Sequence, residues 1–167
     1  MKEQEYCHIC GRKIKRGECK TCHPDPDEKF VADCRAMRYA NALVISAYVD
    51  LVLTDRRLLA FEDVKGAMAA GVQAGFAGQG GLVGAIGKSI AGNPTNRVVE
   101  KGRNGSLKFE TPLSAITGIE TEEKKNAVHT FINTTNGKPL RVVLGTSYDG
   151  TLSGEEFRNM LIAALQK

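Results

Sequence analysis

The chain has 167 residues, 42% hydrophobic and 6% aromatic with no Trp, which suits one modest globular core plus a small appendage. A formal charge of +4 is too mild to announce a nucleic-acid binder, and the sequence shows no nucleophile–base–orienter set, so an enzyme is not expected. Met1 is followed by charged and polar residues with no signal-peptide pattern, so the chain is expected in the cytoplasm, where paired thiols are metal ligands before they are disulfides.

Residues 1–26 hold four of the five cysteines, as Cys7-x2-Cys10 and Cys19-x2-Cys22. Two residues between paired cysteines let a tight knuckle present both sulfurs to one ion, and the eight residues between the pairs suffice for a hairpin that closes the set. Gly11 follows Cys10, where a knuckle benefits from a residue tolerant of positive φ. The spacing predicts one structural zinc ion in a zinc ribbon, with Cys7, Cys10, Cys19 and Cys22 as ligands and no open position for catalysis. The same four thiolates would hold iron; the sequence shows no apolar aromatic shell around them, which favours zinc. His8 and His23 read as flanking residues. Arg12, Lys13, Lys15 and Arg16, with Lys20, form a basic tip. That tip could meet nucleic acid or an acidic partner, or be a solvated loop balanced by Glu3, Glu5 and Glu18.

His23-Pro24-Asp25-Pro26 closes the ribbon as a linker. Asp27 can then cap a short helix within the segment 27–40, with Phe30, Val31, Cys34 and Met37 at helical spacing and Cys34 as a buried free thiol. The main domain is expected over 41–167. Strand patterns occupy Ala42–Ser46, Tyr48–Thr54 and Arg57–Glu62, with a tight turn at Thr54–Arg57. They resume at Ser106–Glu110, Ala115–Thr121, Ala127–Asn133 and Leu140–Leu144, where Asn136-Gly137 is a hairpin signal. His129 reads as an ordinary strand residue. Ser153 and Glu156 form a capping box for a terminal helix whose stripe is Phe157, Met160, Leu161, Ala164 and Leu165. Pattern alone therefore predicts an α+β, mainly β chain: several antiparallel strands closed by one helix.

An insertion, 63–104, interrupts the strands. Between Lys65 and Lys88 lie 22 uncharged residues, among them eight Gly and six Ala. Gly71 and Gly75, then Gly80 and Gly84, repeat every four positions, which suggests two short helices able to approach closely. Residues 66–92 could enter a membrane surface, support self-association or form a loop; each arm is too short to span a bilayer alone, since a span needs about 20 predominantly apolar residues. Gly87-Lys88-Ser89 is not a phosphate loop, because Leu82 stands where the first glycine of that pattern is required.

The run Tyr48-Val-Asp-Leu-Val-Leu-Thr-Asp-Arg-Arg-Leu-Leu-Ala-Phe61 resembles the hallmark hairpin of bacterial PH-like domains, the group that includes the YokE-like and GRAM-like families. Thr111-Pro-Leu-Ser-Ala-Ile-Thr-Gly-Ile-Glu120 is similar to a later strand of that family. The resemblance covers roughly residues 40 to 166. It implies a strongly bent antiparallel sheet of about seven strands capped by the C-terminal helix, and a binding or scaffolding role without catalytic residues. A phosphoinositide site does not carry over, because Ser46-Ala-Tyr-Val-Asp50 is not basic. The resulting expectation is a non-enzymatic zinc-binding module that makes protein contacts or associates with a membrane surface, with nucleic-acid binding through the basic tip as the alternative.

Overall fold

The computed structural model describes residues 5–39, 45–64, 105–124, 127–144 and 152–167. Its strands are β1 (Phe30–Tyr39), β2 (Ile45–Thr54), β3 (Arg57–Asp63), β4 (Ser106–Pro112), β5 (Ile116–Lys124), β6 (Ala127–Thr134) and β7 (Leu140–Leu144). They form one seven-stranded sheet in the order β4-β3-β2-β1-β7-β6-β5, antiparallel throughout, followed by helix α1 (Gly154–Leu165). The chain is thus α+β, mainly β, as the alternation of its sequence predicts.

The helix expected within 27–40 is instead the central strand β1. Its side chains alternate between two covered faces: Ala32, Cys34 and Ala36 join the core on one, while Asp33, Arg35 and Met37 are buried on the other. Phe30 and Val31, which completed the apparent helical stripe, are 44% and 40% exposed. The segment pairs along its length with β2, and through Ala36 and Met37 with β7. Those two ladders satisfy the backbone groups that a lone helix would have satisfied within itself. The sheet accordingly begins at Phe30 and not at residue 41. Ile45 and Ser46 of the expected first strand belong to β2, and residues 42–44 lie outside the described residues.

Local chemistry sets the connections. Thr54 Oγ1 accepts from the backbone N–H of Arg56 at 3.2 Å and of Arg57 at 2.9 Å, closing the β2–β3 turn. The β6–β7 connection uses Gly137 at φ +97°, with its N–H on the carbonyl of Thr134 at 3.3 Å. Ser153 and Glu156 form the expected capping box of α1. Phe157 and Leu161 of α1 enter the core and Ala164 and Leu165 pack beside it, whereas Met160 is exposed.

Strands β2 and β3 are apolar on both faces. Val49, Leu51, Leu53, Leu58 and Ala60 point into the core that α1 closes. Val52, Leu59 and Phe61 point the opposite way and are also fully buried. The insertion begins as β3 ends; its helical hairpin, and the membrane or self-association roles expected of residues 66–92, lie outside the described residues. No helix among the described residues is long and apolar enough to cross a membrane.

Candidate metal centre

Two short loops of the same design build the site. In the first, Gly11 N–H bonds the Cys7 carbonyl at 2.8 Å with Gly11 at φ +67°, the left-handed residue expected after Cys10. In the second, His23 N–H bonds the Cys19 carbonyl at 3.2 Å with His23 at φ +42°. Each loop thus turns on the residue after its second cysteine, and only the first places glycine there. Between them the chain folds back at Arg16 and Gly17, both at positive φ, beneath a bridge between Lys15 and Glu18. Consecutive positive φ values suit the twist of a two-residue hairpin.

The loops bring Cys7, Cys10, Cys19 and Cys22 together, all buried, with their sulfurs within 4.8 Å of one another. Cys7 and Cys22 sulfurs are 3.6 Å apart, Cys10 and Cys19 3.5 Å, and Cys19 and Cys22 3.6 Å. A tetrahedron with metal–sulfur bonds of about 2.3 Å has sulfur–sulfur edges of roughly 3.8 Å, whereas a disulfide needs about 2.05 Å. The quartet therefore has the dimensions of a metal site and contains no disulfide.

Electrostatics agrees. Hydrogen bonds with Cys10 and Cys22 push the Cys7 thiol down, and backbone N–H groups of Cys10 and Ile9 assist. Hydrogen bonds with Cys10 and Cys7, followed by burial, push the Cys22 thiol up. Crowded sulfurs cannot all ionise unaided, and a dication among them removes the conflict. Cys34 stands apart: burial, then the carboxylates of Asp33 and Asp50, push its thiol up to about 12, as befits an inert core cysteine.

The quartet rests on the sheet. Its sulfurs and Ile9 form one buried cluster with Val52, Leu59 and Phe61, and Ile14 and Leu107 pack at its border. An apolar shell with an aromatic ring therefore does surround the sulfurs, contrary to the sequence expectation. The sheet supplies it, from residues far along the chain. The preference for zinc over iron drawn from a missing shell accordingly lapses.

Arg57, read from sequence as a hairpin residue, also clamps the ribbon to the sheet. Its guanidinium donates to the Cys22 carbonyl at 2.7 Å and to both carboxylate oxygens of Glu28 at 2.8 Å, and it also reaches Glu110. Glu28 is only 2% exposed. Burial works to raise its carboxyl, yet hydrogen bonds from Arg57 and Thr54 hold it below the usual carboxylate range. His8 Nε2 bonds the Glu28 carbonyl at 2.9 Å, so His8 braces the ribbon. Arg56 pairs with Asp25 at 2.7 Å and with Asp27, which leaves Asp27 no capping role.

The basic tip divides. Lys13, Lys15, Arg16 and Lys20 are exposed. Arg12 is half-buried: it donates to the Gly105 carbonyl and lies over the Phe61 ring at 5.8 Å. Arg12 thus belongs to the ribbon–sheet contact and leaves the cationic surface that a nucleic-acid reading requires. His129 on β6 faces Arg141 at 3.2 Å.

Arg57, Glu28 and Phe61 were missed as parts of the site, although one signal was available. Strands β2 and β3 carry apolar residues at consecutive positions, which marks strands covered on both faces. In comparison with known proteins, the chain matches no family model and no curated relative.

Proposed function

We propose that the chain is a non-enzymatic zinc-binding interaction or scaffold module, with a structural ion held by Cys7, Cys10, Cys19 and Cys22, read as zinc because closed four-cysteine sets are a usual setting of structural zinc. The observation that carries this reading is the closed set of four buried sulfurs. With four protein ligands around the ion, no position remains for an activated water or a substrate, so the metal's contribution is to folding. The resemblance of the sheet to bacterial PH-like domains belongs to the same proposal; seven antiparallel strands followed by one helix support it. Protein contacts or a membrane surface are the proposed targets.

Metal analysis of the purified chain, with its visible spectrum, tests the ion. One zinc per chain and no visible absorption is the expected result; a red ferric tetrathiolate spectrum would assign iron. Co-sedimentation with anionic liposomes, comparing the full chain with one lacking residues 66–92, tests the targets. Recovery of both in the supernatant would remove the membrane and leave protein contacts.

A further inference from the structure

The two apolar clusters lie on opposite faces of β2 and β3 and are built differently. The cluster closed by α1 takes nothing from residues 5–28. The other depends on them: among the described residues, the quartet, Ile9 and Ile14 supply the apolar cover over Val52, Leu59, Phe61 and Leu107, with Arg12 over the Phe61 ring. Apart from its four sulfurs, the ribbon buries one large apolar side chain completely, Ile9. Without an ion to join the loops, such a segment has too little apolar area to offset the entropy of ordering its backbone. Two polar ties depend on the loops themselves: Arg57 of the sheet reaches the Cys22 carbonyl, and Arg12 of the ribbon reaches the Gly105 carbonyl. The ion pairs of Asp25, Asp27 and Glu28 with Arg56 and Arg57 lie beyond the last cysteine.

We infer that metal occupancy controls docking of the ribbon. Loss of the ion releases residues 5–22 and uncovers the Val52, Leu59 and Phe61 face, while the Glu28–Arg57 pair, the sheet and α1 stay in place around their own core. As the ion leaves, the sulfurs take up protons from water, and the reverse occurs on rebinding. The ribbon is then a metal-dependent cover over an apolar surface that folded proteins seldom leave open. The inference rests on the metal reading of the quartet.

The full chain, kept reduced and with its metal content measured first, is treated with a chelator. Binding of the apolar dye ANS, far-ultraviolet circular dichroism and trypsin cleavage at Lys13–Lys20 are then followed together. The expected result is a several-fold rise in dye fluorescence and rapid cleavage before β1, with the strand signal retained and zinc restoring the starting state. Unchanged dye binding and cleavage after the metal has demonstrably left would overturn the inference, as would loss of the strand signal together with the metal. A chain that neither contains nor binds zinc or iron would instead overturn the metal reading beneath it.

Discussion

Arg57 on β3 donates a 2.7 Å hydrogen bond to the backbone carbonyl of Cys22, a metal-site residue 35 positions earlier in the chain. The same guanidinium neutralises the buried carboxylate of Glu28. One side chain therefore ties the second cysteine loop, the segment leading into β1 and the β2–β3 hairpin together.

Replacing Arg57 with Ala should be costly. It leaves Glu28 charged, buried and without its cation, a loss of about 3–5 kcal/mol for a buried pair broken on one side. Urea unfolding monitored by circular dichroism measures it. Arg57→Lys should recover only part, because an ammonium cannot reproduce the two-pronged contact with Glu28.

Gly105 tests backbone geometry. It sits at φ +84°, and a Cβ there would clash with the backbone carbonyl of Glu62. Gly105→Ala must move β3 or β4 and should lower stability by more than the ~1 kcal/mol of a left-handed position alone. Gly17, at φ +81° with open space around it, is the control: Gly17→Ala should show only the smaller conformational cost in thermal melts.

The metal set is specific by position. Serine at any one of Cys7, Cys10, Cys19 or Cys22 should abolish stoichiometric metal retention through gel filtration. Cys34→Ser should leave metal content at one per chain, since Cys34 lies in the other buried cluster. It should still cost roughly 1–3 kcal/mol, because the hydroxyl is buried in an apolar site.

Acid should loosen the ribbon through Glu28 as well as through the sulfurs. Its carboxyl is lowered from an unfolded value of 4.5, so its stabilising contribution is fully present above about pH 4.5 and is lost as pH falls through the folded value. Unfolding free energy measured between pH 7 and 4 should decline at the acid end. In Glu28→Gln that part of the pH dependence should disappear and stability at neutral pH should be lower.

Much of this protein is legible locally. CxxC loops form because a few residues on either side set their turns, so Cys7, Cys10, Cys19 and Cys22 were identifiable as one set from spacing. The capping box at Ser153 and Glu156 and the strands from β3 onward are equally short-range. β1 was misread because Phe30, Val31, Cys34 and Met37 satisfy a helical period by coincidence, and only its two neighbouring strands make an extended backbone the better solution.

The sequence by itself determined the two CxxC pairs, the alternation of the strands from β3 onward and the start of the final helix, each of which depends on residues close together along the chain. Tertiary structure alone decided where the cysteine quartet sits. Its shell comes from Val52, Leu59 and Phe61, and its clamp from Arg57, groups brought to it by a sheet whose second face has no other cover among the described residues. Burial of a surface depends on which element lies opposite, and spacing along a chain carries no record of that.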